Sequence, residues 1–408
     1  MKYIVVLGDG MADEPVDELS GKTPLEVANK PAIDYLTEHG ELGMVKTVPD
    51  GIPPGSDAAN LSVMGYDPNK FYTGRSPLEA VSMGIQLSDT DVTLRCNLVT
   101  LSDDVPYASK TMIDYSSDEI TSEEAAELIG SLQDKLGSEI FHFYPGRSYR
   151  HLLVWKNGKT GNILTPPHDI LERKIDDYLP KGTESAVILQ MMEKSVEIFR
   201  DHPVNIRRRE AGLRPATSIW LWGEGRRPSL PNFEKKYGLK GSVISAVDLV
   251  LGIGLCAGLE PIEVPGATGN IHTNFEGKTQ AAIDQLLNKG KDFVYLHIEA
   301  PDESGHRYEV ENKVKSIEII DQQMVLPIKE ALDASGEEYS IMILPDHPTP
   351  LRLRTHTSDP VPYAIYRSTV ERRSEISAYT EKNGAATGLY IREGFRLMDR
   401  FLKDEDVF

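Results

Sequence analysis

The sequence predicts an α/β protein with a mainly parallel sheet and a smaller inserted α+β domain. Three observations carry this: apolar runs that read as strands buried on both faces, helical patterns between them, and a middle region of short strands and turns. The first run, residues 3–7, is apolar and ends in Gly8-Asp9-Gly10. Residues 293–298 run into Glu299-Ala300-Pro301-Asp302, and residues 341–344 into Pro345-Asp346-His347. Each strand therefore delivers an aspartate at or just past its carboxyl end, where open α/β sheets bind ligands. Asp9, Asp302 and Asp346 can converge there, although they come from opposite ends of the chain.

Helical periodicity fills the gaps. Residues 314–333 place Ile317, Ile320, Met324 and Ile328 at spacings of three and four, with a break or kink expected at Pro327. Residues 279–287 form a second such segment. From about 91 to 184 the pattern changes to short strand-like runs, with hairpin turns at Asn157-Gly158 and Gly161-Asn162 and a helix start at Thr121-Ser122-Glu123-Glu124. This gives a core of residues 1–90 and 185–408 and an insert of residues 91–184. The parallel pattern is expected to resume at Ile219-Trp220-Leu221-Trp222-Gly223 and again at Val243-Ile244-Ser245. The tail, 403–408, is acidic and reads as frayed.

Composition narrows the function. The chain has 408 residues, 44 Lys+Arg against 63 Asp+Glu, and a formal net charge of −19. That argues against a broad nucleic-acid or anionic-membrane surface, yet leaves room for a local basic pocket that takes a small anion. The two cysteines, Cys96 and Cys256, have no CxxC spacing and suggest a reducing, cytoplasmic setting. The amino-terminal apolar run is too short for a signal peptide, and no stretch reaches the ~18 apolar residues of a membrane span.

The strongest local signal is Asp302-Glu303-Ser304-Gly305-His306, where Asp and His stand four positions apart after a strand and can face one point. Asp346-His347 follows another strand, and His356 lies in a polar loop. Imidazole with carboxylate suits Zn²⁺ or Mn²⁺. Taken singly, such an aspartate also suits a turn or cap, and such a histidine a solvated loop; their joint occurrence favours a metal site. Pro53-Pro54-Gly55 forbids a helix before Ser56, and small residues follow. Ser56 thus stands where a helix start favours an anion, although an N-cap explains the same sequence. As a nucleophile it needs activation, which a bound cation supplies. Arg147, Arg150 and His151 in the insert, and Arg226 and Lys240 beside later strands, supply basic groups for phosphate or carboxylate. Arg207-Arg208-Arg209 reads as a solvated run.

These motifs resemble those of the archaeal-type cofactor (2,3-bisphosphoglycerate)-independent phosphoglycerate mutases of the alkaline phosphatase superfamily. The matching segments are Gly8-Asp9-Gly10, Pro54-Gly55-Ser56-Asp57-Ala58-Ala59-Asn60, Tyr72-Thr73-Gly74-Arg75-Ser76-Pro77, Arg95-Cys96-Asn97, Gly146-Arg147-Ser148-Tyr149-Arg150-His151, residues 219–223, residues 302–306 and Pro345-Asp346-His347. The resemblance implies an alkaline-phosphatase-like core and two divalent metals (Mn²⁺, Zn²⁺ or Mg²⁺), with no 2,3-bisphosphoglycerate. It implies Asp9, Ser56, Asp346 and His347 at one metal, and Asp302, His306 and His356 at the other, with Asp13 or Asp57 as a further candidate. Ser56 would take the phosphoryl group, and Asn97, Arg147, Arg150, His151, Arg226 and Lys240 would face a phosphoglycerate substrate. Closure about linkers near residues 90 and 185 would exclude water.

The early segment around Gly21-Lys22-Thr23-Pro24-Leu25-Glu26 also resembles a sister group proposed to act as homoserine kinases in threonine synthesis. The metal residues do not separate the two, and no GxxxxGK[ST] loop is present. A non-catalytic metal-binding scaffold is the alternative from another class, and the intact Ser56 and Asp/His set speak against it.

Overall fold

The computed structural model describes residues 1–370 and 373–403; the end of the acidic tail, 404–408, lies outside the described residues. The chain divides into two compact units, Met1–Tyr72 with Ser229–Phe408, and Thr73–Pro228.

The first unit is built on an eight-stranded sheet. Its strands run in the order Glu260–Pro261, Gly241–Ile244, Phe293–Ile298, Lys2–Gly8, Tyr339–Leu344, Val361–Arg367, Glu41–Val45 and Tyr390–Ile391. Lys2–Gly8 pairs in parallel with both Phe293–Ile298 and Tyr339–Leu344, so the three strands expected to carry aspartates are neighbours. Val361–Arg367 is antiparallel to both of its neighbours. Alternate residues of the central strands share a face. Ile4, Val6, Val294, Leu296, Ile341 and Ile343 pack there against Ile33, Leu36, Ala282, Leu286, Ile317, Ile320 and Ile328.

The expected long helix after residue 313 is two helices, Val310–Ile320 and Leu326–Ser335, joined by a π turn over Asp321–Val325. Pro327 has no N–H for the carbonyl of Gln323, and the hydroxyl of Thr279 takes that carbonyl instead, at 2.9 Å. The π turn also serves a neighbour. Helix Pro31–Glu38 has no capping side chain at Lys30, and Oδ1 of Asp321 accepts the Ile33 N–H at 2.7 Å.

The second unit is wider than the insert of residues 91–184 read from the sequence. Strand Val92–Leu101 pairs antiparallel with Arg150–Trp155 and also with Ser218–Arg226. Residues 219–223 therefore belong to this sheet and do not resume the parallel core. Helix Ser76–Ser82 joins it through the Ser76 hydroxyl, which bonds to Thr93 and Gly223. Helix Ser185–Arg200 joins it through Ser195, which accepts the Ile219 N–H at 2.9 Å. The chain crosses between units at residues 72/73 and 228/229, not near 90 and 185. Among the described residues, no helix is long and apolar enough to cross a membrane.

Candidate active site

Seven side chains gather at the carboxyl ends of the three central strands: Asp9, Ser56, Asp302, His306, Asp346, His347 and His356. Asp9 follows Lys2–Gly8, and its N–H donates to the Ile298 carbonyl at 2.8 Å. Gly10 lets the next strand's chain approach: it has φ +63°, and a Cβ there would lie 2.8 Å from the Cα of Asp302. Asp302 and His306 share helix Ala300–Arg307 at the predicted spacing, with Oδ2 and Nε2 3.2 Å apart.

Ser56 is the first residue of helix Ser56–Val63, and Gly55 occupies the capping position. The Ser56 side chain is therefore not spent as a cap. Its Oγ lies 3.1 Å from Nε2 of His347. That nitrogen is also 3.4 Å from Oδ2 of Asp346 and 3.7 Å from Oδ1 of Asp9. On the other side, Nε2 of His356 is 3.3 Å from Oδ1 of Asp302 and 2.9 Å from Nε2 of His306. Two sets have ligand-type atoms close enough to share an ion: Asp9, Asp346 and His347, and Asp302, His347 and His356.

The donor chemistry fits cations. Asp9, Asp302 and Asp346 are 1%, 4% and 0% exposed, so three carboxylates share one buried pocket. Burial pushes the Asp9 carboxyl well above the usual range, and the nearby charges of Asp346, Asp302 and Glu299 add to this. Its Oδ1 is buried and has no hydrogen-bond partner among the described residues. Burial works to raise Asp302, but its bonds to His306 and His356 hold it well below the usual range. The same Asp302 bond pushes His306 up to about 9. Nδ1 of His306 donates to the Arg354 carbonyl at 2.9 Å. A neutral His306 then turns the Nε2 lone pair toward Asp302 and His356, an arrangement that needs a proton or a cation between the atoms.

Other candidates fall outside this cluster. Asp13 is buried against Lys313, with Oδ2 and Nζ 2.7 Å apart, so its charge is already balanced. Asp57 accepts from the Tyr72 hydroxyl at 2.7 Å and from the Ala58 N–H at 2.9 Å. Lys240 is exposed at the amino end of strand Gly241–Ile244, its N–H bonded to Asp292. The cluster sits at the opposite ends of the strands, which is a correction to its expected substrate role.

The remaining basic candidates lie in the second unit. Asn97 and Arg150 are cross-strand partners. The Asn97 side chain accepts from the Trp222 indole at 2.9 Å and donates to the Tyr115 carbonyl at 3.3 Å. Arg147 and Arg150 are exposed, and the Arg150 guanidinium stands 5.1 Å from the Tyr149 ring centre. His151 accepts the Gly146 N–H on Nδ1 at 2.9 Å, leaving a buried Nε2 without a hydrogen-bond partner among the described residues. The Arg226 guanidinium donates to the Asp89 and Gly158 carbonyls, at 3.3 and 2.8 Å.

Sequence reasoning missed Arg75 and Arg95, which flank the Glu79 carboxylate, with Arg95 4.7 Å from the Trp222 ring centre. Burial works to raise Glu79, but Arg95, Arg75 and Arg150 hold it down. Both arginines stood inside the motifs quoted above. Asn60 was missed as well, although its amide donates to Asp346 Oδ2 at 2.9 Å. So was Thr349, whose hydroxyl bonds to Asp302. His297, buried inside a strand, carried no sequence signal of its own.

The chain is similar to known proteins in sequence and in fold. A family model described as 2,3-bisphosphoglycerate-independent phosphoglycerate mutase matches residues 37–205. A probable 2,3-bisphosphoglycerate-independent phosphoglycerate mutase of Geobacter sulfurreducens is 50% identical over 402 residues, covering 98% of this chain and 100% of the relative. The Methanothrix thermoacetophila 2,3-bisphosphoglycerate-independent phosphoglycerate mutase is 49% identical, covering 97% of each chain. Among solved structures, a Pyrococcus horikoshii protein superposes with TM-score 0.83 at 29% identity, covering 100% of this chain and 98% of the other. The cofactor-independent phosphoglycerate mutase of Thermoplasma acidophilum gives 0.66 at 25% identity and 99% of each chain.

Proposed function

The chain belongs to the 2,3-bisphosphoglycerate-independent phosphoglycerate mutase family and interconverts 3-phosphoglycerate and 2-phosphoglycerate without that cofactor; we propose that it does so by passing the phosphoryl group through Ser56. The observation that supports this reading is the 3.1 Å approach of Ser56 Oγ to His347 Nε2 beside buried Asp9 and Asp346. A free serine hydroxyl is a weak nucleophile and needs such company.

Divalent cations held by Asp9, Asp346 and His347 and by Asp302, His306 and His356 would lower the proton affinity of the Ser56 hydroxyl and offset the charge of the phosphoryl oxygens. Mn²⁺, Zn²⁺ and Mg²⁺ all suit a site of carboxylates and imidazoles to differing degrees, and the histidines favour the first two. The chain's own part is to hold the reactants. Helix Ser56–Val63 presents the hydroxyl at its first residue, where backbone N–H groups and the helix dipole favour an anion. Asn60 bonds both Asp346 and the Ser56 carbonyl, at 2.9 and 2.8 Å, and so ties nucleophile to ligand. Ser56 takes the phosphoryl group from one hydroxyl of the glycerate, and the other hydroxyl recovers it. Arg147, Arg150 and His151 are assigned to the substrate anion.

The deciding experiment supplies 3-phosphoglycerate in one assay, and homoserine with ATP in another. Formation of 2-phosphoglycerate alone supports the mutase reading. Homoserine phosphorylation alone would replace it with a kinase, and silence in both would leave a metal-binding scaffold.

A further inference from the structure

Beneath the cluster, one strand supplies a second layer. Tyr295 and His297 are two positions apart in Phe293–Ile298 and so share a face. Both are completely buried. The Tyr295 hydroxyl donates to Asn60 Oδ1 at 2.7 Å, and Asn60 holds Asp346. His297 reaches the other carboxylate directly, with Nε2 2.9 Å from Oδ2 of Asp9.

The proton on that imidazole can be assigned from its other partner. The Val247 N–H donates to Ser245 Oγ at 2.9 Å. Ser245 Oγ also stands 3.1 Å from Nδ1 of His297. While its oxygen accepts from Val247, the serine can send its own proton to Nδ1, which suits a lone pair on that nitrogen. His297 then carries its proton on Nε2 and donates it to Asp9. The opposite tautomer would set a nitrogen lone pair against a carboxylate oxygen at 2.9 Å, away from water, which is costly. The main chain supports the same registration, because Asp9 N–H is bonded to Ile298. With Oδ2 engaged, Oδ1 of Asp9 is the oxygen that remains without a hydrogen-bond partner among the described residues, and it is the one nearer His347.

We propose that His297, set by Ser245, is the positioning residue for Asp9: it holds Oδ2 and turns Oδ1 into the cation site. The inference rests on the two-cation reading above. Hydrogen-bonding partners of ligating groups typically contribute about 10–100-fold in metal affinity.

The test titrates chelator-stripped, full-length enzyme with Mn²⁺, read by calorimetry and by the free-ion electron spin resonance signal. The parent is expected to take up two ions. His297→Leu should weaken one of them by about 10–100-fold and leave the other within about twofold. His297→Gln keeps an N–H donor near the same place and should recover most of the loss. Ser245→Ala removes the hydroxyl beside Nδ1, along with its bond from Val247, and should weaken the same ion to a lesser degree. KM for 3-phosphoglycerate at saturating Mn²⁺ should stay at the parent value. Unchanged affinity for both ions in His297→Leu, or a Gln variant no better than Leu, overturns the assignment. If the Leu variant does not fold, Ser245→Ala decides, and unchanged Mn²⁺ binding there overturns it equally. A parent that binds no Mn²⁺ would instead overturn the two-cation reading on which the assignment stands.

Discussion

Ser56 Oγ and His347 Nε2 stand 3.1 Å apart, joining a helix start in the first 60 residues to a strand end near residue 345. His347 is completely buried, and burial lowers the basicity of its imidazole. A neutral ring offers a lone pair to a cation or to the serine proton. Ser56→Ala removes the atom to which the phosphoryl group is assigned. The mutase rate should fall by at least about 10³-fold, while the affinity for 3-phosphoglycerate changes by less than about tenfold. Steady-state kinetics and equilibrium binding measure the two quantities. Near-normal turnover by the alanine variant would end the phosphoserine mechanism.

The buried carboxylates make metal removal the second prediction. Chelation should abolish mutase activity, and Mn²⁺ or Zn²⁺ should restore it. Stability should follow, because ions bound only by the folded state add about 2.7 kcal/mol at one hundred times their Kd. Thermal melts with and without Mn²⁺ measure this. A stripped enzyme that melts and turns over like the loaded one would contradict the site.

Much of this arrangement was legible in the sequence because strand ends are. Asp9, Asp302 and Asp346 each follow an apolar run, and parallel neighbours bring such ends together. Two things were not legible. Residues 219–223 read as a buried parallel strand, but an apolar run looks the same in either kind of sheet, and its antiparallel partner lies more than a hundred positions earlier. Lys240 stands just before a strand, and only the direction of that strand reveals that it faces away from the cluster. His297 was hidden for a related reason: within an apolar strand a histidine reads as core until its partner is known.

Asp13 and Lys313 give the third prediction. Asp13 was a candidate ligand by sequence, but Lys313 Nζ lies 2.7 Å from it and also donates to the Thr349 carbonyl at 2.8 Å. Both side chains are buried, at 1% and 0% exposure. Lys313→Met leaves an unbalanced buried carboxylate, and breaking such a pair costs about 3–5 kcal/mol. Chemical denaturation should show that loss, while the Mn²⁺ stoichiometry of the folded variant stays at the parent value. Loss of one bound ion with unchanged stability would return Asp13 to the ligand set.

Asp321 sets the stability-versus-pH prediction. Its carboxyl is completely buried in the π turn, one oxygen accepting from Ile33 and the other without a hydrogen-bond partner among the described residues. Burial pushes it up to about 6 from the ordinary 3.8; the backbone bonds of Ile33 and Ala32 and the Lys30 charge oppose this, while Asp34 adds to it. The folded state therefore holds this proton more tightly than the unfolded chain. The resulting stability is fully present below about pH 4 and is lost as pH rises through 6, on the order of 3 kcal/mol. Asp321→Asn keeps an acceptor for Ile33 and never ionises. It should be more stable than the parent at pH 8 by on the order of 1–2 kcal/mol, with the gain shrinking toward pH 4. Urea denaturation at both pH values measures the difference. An equal effect at pH 4 and pH 8 would mean that Asp321 does not titrate in this range.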